Sequence, residues 1–157
     1  MTAVIQIAGI EYAAVIAAIL EQSLDPPWSV SSVASFLSVP GSFALLASRG
    51  NAAPEGAVLC RAAADSCDLA AIGVVREARR KGFGSALLEA AQNEAAKRRC
   101  RHMFLEVAES NQAAIGLYLA QGFREVAKRV AYYRAGARST APPVDAIVMR
   151  RDFEGRL

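Results

Sequence analysis

One stretch restricts the fold more than any other: Ile72-Gly73-Val74-Val75-Arg76-Glu77-Ala78-Arg79-Arg80-Lys81-Gly82-Phe83-Gly84-Ser85-Ala86-Leu87-Leu88. A strand runs into a basic, glycine-containing turn, and a helix leaves it. The first turn of a helix has unpaired N–H groups and the positive end of the helix dipole. Gly82 and Gly84 let backbone approach an anion with no side chain in the way. Arg79, Arg80 and Lys81 add positive potential, so the segment reads either as an anion site for phosphate or as a plain loop and helix start. Neither familiar nucleotide pattern is present. Gly-x-x-x-x-Gly-Lys-Ser/Thr does not occur, and Leu87 stands where Gly-x-Gly-x-x-Gly needs its third glycine.

The rest of the chain supplies the setting. With 157 residues, 54% of them apolar, it is long enough for one hydrophobic core and too apolar for a disordered chain. We expect a single domain over residues 1–157. The net charge is only +3. The basic runs at 76–81 and 98–101 lack interleaved aromatics, so no direct nucleic-acid partner is expected. Three widely spaced cysteines and one histidine, His102, give no metal-ligand spacing, and no metal is expected. Reduced, buried thiols and the absence of a signal-like or membrane-length apolar run predict a cytoplasmic protein without a membrane partner.

Periodicity gives an alternating order of elements. Residues 2–7 read as a strand and 10–22 as a helix, with Ile16, Ile19 and Leu20 on one face; Pro26 and Pro27 stop it. Ser29 caps a short helix carrying Val33, Phe36 and Leu37. Trp28 either anchors that helix to the core or contacts substrate. Strands are expected at 43–48, 57–63 and 68–75. Over 82–99 the period becomes helical, with Leu87, Leu88, Ala91 and Ala95 on one face. A strand at 103–107 follows, then a helix capped by Ser110 or Asn111 and ended by Gly122. Strands at 123–133 and 146–149 flank a loop at 136–143. This is a mixed α/β order, not a doubly wound one.

Two segments together carry a family resemblance. Arg79-Arg80-Lys81-Gly82-Phe83-Gly84 resembles the Arg/Gln-x-x-Gly-x-Gly/Ala signature of the Gcn5-related N-acetyltransferases (GNAT). Downstream, Leu105-Glu106-Val107-Ala108-Glu109-Ser110-Asn111-Gln112-Ala113-Ala114-Ile115-Gly116-Leu117-Tyr118 and Gly122-Phe123-Arg124-Glu125-Val126 resemble that family's second cofactor-side segment. The resemblance implies a GNAT fold: a mixed central sheet with a splayed strand pair and flanking helices. It also implies acetyl-CoA as cosubstrate. Its pyrophosphate would lie on residues 79–84, with Arg79, Arg80, Lys81, Gly82, Phe83, Gly84 and Ser85 contributing. Its arm would run along backbone at Ile72 and Val74, with Asn111 helping to hold it and Tyr118 pointing toward its sulfur.

Acetyl transfer to an amine needs a proton acceptor for the amine, donors for the developing oxyanion and a proton for the departing thiolate. Glu106, in a strand whose neighbours Leu105 and Val107 face the other way, is the candidate base. Tyr118, protonated near neutral pH, is the candidate acid. Pro27-Trp28-Ser29, Arg129, Tyr132-Tyr133 and residues 145–149 extend the resemblance to the bacterial ribosomal-protein-alanine N-acetyltransferases. That resemblance implies a protein N-terminus as acceptor, the N-terminal alanine of a small-subunit ribosomal protein, with Trp28, Asp68, Glu106, Tyr132 and Tyr133 near it. A free α-amine is about 3 kcal/mol easier to deprotonate than lysine. Two other readings stay open: a small amine or a lysine side chain as acceptor, or a non-catalytic acetyl-CoA sensor. Val75-Arg76-Glu77-Ala78 departs from the family's usual Asp/His-Pro-x-Tyr turn.

Overall fold

The computed structural model describes residues 2–24, 27–133 and 144–153, with backbone alone at 131–133. The expected proline stop at Pro26 and the 136–143 loop lie outside them, as do the side chains of Tyr132 and Tyr133. Seven strands form one sheet: β1 (Ala3–Ala8), β2 (Ser42–Arg49), β3 (Gly56–Ala63), β4 (Ser66–Val74), β5 (His102–Ala108), β6 (Arg124–Tyr133) and β7 (Val144–Asp152). Their order is β1-β2-β3-β4-β5-β7-β6. Every neighbour pair is antiparallel except β4 and β5. Each predicted strand is present, with ends displaced by at most three residues.

Helices α1 (Ala13–Glu21) and α2 (Val30–Leu37) cover one face of the sheet; α3 (Phe83–Lys97) and α4 (Gln112–Ala120) cover the other. The segment expected as one helix from residue 10 opens as a 3-10 turn, Ile10–Tyr12, before α1 begins. Ser29 caps α2, its Oγ accepting from Ser32 N–H at 3.0 Å; such a cap contributes about 1 kcal/mol. Leu87, Leu88, Ala91 and Ala95 of α3 are all fully buried. Each of the two leucines contributes about 1.5–3 kcal/mol through burial.

Along β2 and β3 successive residues alternate between the two cores, and in β4 this alternation breaks. Cys67 and Leu69 join the core beneath α3, whereas Ala71 joins the core beneath α1, and Ile72 and Val74 return to the α3 side. The register with β3 slips by one at this point: Leu59 faces Ala71 but Cys60 faces Leu69, leaving Ala70 as an extra residue. Such a bulge bends its strand and increases the local twist. It begins just past Asp68, which with Phe104 forms the last β4–β5 pair, although both strands continue. The bulge therefore turns β4 away from β5 and opens the sheet between them, the splay that the resemblance implied.

Cys60, Cys67 and Cys100 are free and buried in the α3-side core. The neighbouring Cys67 thiol and burial push Cys60 well up, and burial pushes Cys100 up to about 11. At pH 8 roughly one part in a thousand of Cys100 is then thiolate, the reactive form. The native protein should react slowly with a thiol-specific disulfide reagent and release three equivalents only on denaturation. Fast labelling of the native fold would contradict this packing.

Candidate active site

The opening between β4 and β5 defines the site. Val75 N–H donates to Glu55 O at 2.8 Å, so Val75 turns its backbone groups toward β3. Backbone direction alternates along an antiparallel strand. The N–H and C=O groups of Ile72 and Val74 therefore face the side that β5 has left. A strip of backbone donors and acceptors borders the opening there, while the Ile72 and Val74 side chains pack on the α3-side core.

The glycine loop lies at the end of that strip. Arg76–Ala78 forms a 3-10 turn with Ala78 fully buried. Arg80 has φ 64° and Gly82 φ 88°. The left-handed region costs a non-glycine residue about 1–2 kcal/mol, so Arg80 is held there by its surroundings. Such backbone turns N–H groups into an anion-binding concavity. A Cβ at Gly82 would meet nothing within 4 Å, so the space beside the loop is open. No side chain caps α3, so its first-turn N–H groups have no intrahelical partner. Arg80 and Lys81 are exposed beside it and Ser85 is half-buried in the first turn. These residues fit a pyrophosphate.

Four expected cofactor residues also have partners within the protein. The Phe83 side chain is in the core, 1% exposed, so only its backbone can meet a ligand. A Cβ at Gly84 would meet Leu117 Cδ2 of α4 at 3.2 Å, so glycine there serves helix packing as well as approach. Arg79 folds back, its Nε donating to Val74 O at 3.1 Å and its Nη2 to Gln22 O at 2.7 Å. Asn111 caps α4 through Oδ1, accepting from Ala114 N–H at 3.2 Å. Trp28 packs edge-on against Phe36, centroids 5.5 Å apart, the anchoring arrangement.

The two acid–base candidates lie on opposite faces of the sheet. Leu105 and Val107 enter the α3-side core, so Glu106 turns to the other face, half-buried. Its Oε1 pairs with Arg129 Nη2 of β6 at 3.1 Å. Spacing in the sequence did not reveal this pair, because it depends on β7 lying between β5 and β6. Asp68 lies between core residues Cys67 and Leu69 and so shares the Glu106 face. Its register partner Arg61 turns to β2 and α2, donating to Ser42 Oγ at 2.9 Å and to Phe36 O at 3.1 Å. Tyr118 is buried under α4, its ring edge-on to Phe123 at 6.0 Å. Among the described residues, no group of three or more His, Cys, Asp or Glu could hold a metal, and no helix is long and apolar enough to cross a membrane.

Comparison with known proteins agrees with this geometry. The ribosomal protein bS18-alanine N-acetyltransferase of Escherichia coli is 41% identical over 85 residues, 54% of this chain and 55% of that protein. The aligned part of the chain thus spans about half the length of the curated relatives it matches. A crystal structure of a ribosomal-protein-alanine N-acetyltransferase from Escherichia coli superposes with TM-score 0.86 at 28% identity, over 96% of this chain and 94% of that one. A GNAT-family acetyltransferase from Streptococcus pneumoniae superposes at 0.79 with 25% identity, over 97% and 100%. The acetyltransferase (GNAT) family model matches residues 14–123, and with most of the chain inside that match, the protein belongs to this family.

Proposed function

We propose that the protein transfers the acetyl group of acetyl-CoA to the α-amine of a protein N-terminus, the N-terminal alanine of a ribosomal protein being the first candidate. The opening between β4 and β5 carries this reading. It has a glycine loop with left-handed backbone at one end, a backbone strip along one edge and the Glu106 carboxylate on the strand along the other. Backbone of residues 79–84, with Arg80, Lys81 and Ser85, would hold the pyrophosphate. The backbone at Ile72 and Val74 would hold the arm, with Asn111 across from it. When bound, acetyl-CoA supplies an activated acetyl thioester.

The chain's own groups then have separate tasks. Asp68 and Glu106 make their face of the opening attractive to a cationic N-terminus. Glu106 accepts the proton of the attacking amine, while Arg129 holds its carboxylate in place. Tyr118 gives a proton to the departing sulfur from the opposite face. Similarity to the Escherichia coli enzyme supports an α-amine acceptor, and the lower pKa of such amines, about 7.7–8 against about 10.4 for lysine, suits a single carboxylate base.

Mass spectrometry of two matched peptides tests the acceptor class. One peptide has a free N-terminal alanine; the other has a blocked terminus and an internal lysine. Product only on the free terminus is the expected result. Product on the blocked peptide would transfer the reading to lysine chemistry. No product on either, with acetyl-CoA still bound, would leave a small-amine enzyme or a sensor.

A further inference from the structure

We propose that Arg79 is a positioning residue: its side chain clasps the free end of β4 to the end of α1 and so fixes the backbone strip bordering the opening. The inference rests on the acetyl-transfer reading of that opening, and it assigns the guanidinium to protein, not to phosphate.

Five hydrogen bonds join the end of β4, the turn after it and the distant end of α1. Arg79 Nε donates to Val74 O at 3.1 Å. Its Nη2 donates to Gln22 O at 2.7 Å and to Ser23 Oγ at 3.3 Å. Ser23 Oγ donates in turn to Val74 O at 3.2 Å. Arg76 N–H donates to Gln22 Oε1 at 2.8 Å. A Cβ at Gly73 would lie 2.9 Å from Ser23 Oγ and 3.2 Å from Leu20 Cδ2, so glycine there permits the close approach.

Each bond has a physical reason. Val74 O is turned to the side where β5 no longer pairs, so it has no strand partner. Arg79 and Ser23 supply the missing donors. The last carbonyls of α1 lack intrahelical donors and carry the negative end of its dipole, which favours a guanidinium. A planar fork spans two carbonyls at once; an ammonium is a point donor and does not. The consequence is mechanical. The carbonyl that ends the strip is fixed by the residue that starts the glycine loop, and both are tied to the end of α1.

The test compares Arg79→Lys, Arg79→Ala, Ser23→Ala and the Arg79→Ala/Ser23→Ala double variant. A clasp predicts that Arg79→Lys behaves like Arg79→Ala, each lowering kcat by about 10-fold or more while CoA affinity by calorimetry falls less. Ser23→Ala should share part of the defect, and the double variant should be no worse than Arg79→Ala, since one network is broken only once. Hydrogen exchange of the cofactor-free protein gives a readout independent of any acceptor. In both Arg79 variants, segments 19–24 and 72–79 should exchange faster, and the rest should not. If exchange is unchanged, if Arg79→Lys restores CoA affinity lost in Arg79→Ala, or if Ser23→Ala is silent, Arg79 binds phosphate and the clasp is wrong. Normal exchange effects without any peptide product would retain the clasp and reject the acceptor reading instead.

Discussion

Replacing Tyr118 with phenylalanine is expected to lower kcat by about 10²-fold, within the range for losing a positioned general acid. Acetyl-CoA affinity should change little. The substitution keeps the ring, which is buried and edge-on to Phe123 at 6.0 Å, and removes only the hydroxyl. The expected stability loss is that of one hydrogen bond, about 0.5–1.5 kcal/mol. Tyr118→Ala would be a poorer probe, because emptying a buried aromatic site costs about 3–5 kcal/mol and confuses folding with chemistry. The decisive comparison is kcat against CoA binding at a temperature well below the Tm of both proteins. Equal kcat values would remove Tyr118 from the proton transfer and leave it as packing for α4. A loss confined to CoA affinity would make it a binding residue.

Local signals in the chain carried most of the fold. The helical stripe at Leu87, Leu88, Ala91 and Ala95 is the buried face of α3, and Ser29 and Asn111 cap the helices that their types suggested. These features depend on neighbours within one turn, so spacing reveals them. The origin of the opening was not legible in spacing. Its bulge falls at Ala70, between Leu69 and Ala71, where nothing marks an extra residue; only the register with β3 exposes it. Family resemblance supplied the splay without its cause. The Glu106–Arg129 pair needs the strand order β5-β7-β6, and the Arg79 bonds need partners at Gln22 and Ser23. Glycine identity was also ambiguous: Gly82 is required by its left-handed φ, whereas Gly84 also makes room for Leu117.

Glu106→Gln should reduce turnover by about 10²–10³-fold at neutral pH while acetyl-CoA affinity stays near wild type. Glutamine keeps the size and much of the shape of the side chain but cannot accept the amine proton. It also puts a neutral amide where a carboxylate pairs with Arg129 at 3.1 Å. That second loss is a structural complication, so Arg129→Ala is the necessary control. It removes the pair and leaves the base; if Arg129 only orients the carboxylate, its effect should be the smaller one. A pH profile separates the two roles further. Without a base, only acceptor that has already lost its proton in water can react. The neutral fraction of an α-amine rises about 10-fold per unit below its pKa of about 7.7–8, so the Glu106→Gln rate should climb with that slope and level off above it. Wild-type enzyme should depend on pH less steeply over the same interval. Parallel profiles with equal rates would assign Glu106 to acceptor binding or to the sheet, and would make Asp68, on the same face, the next carboxylate to test.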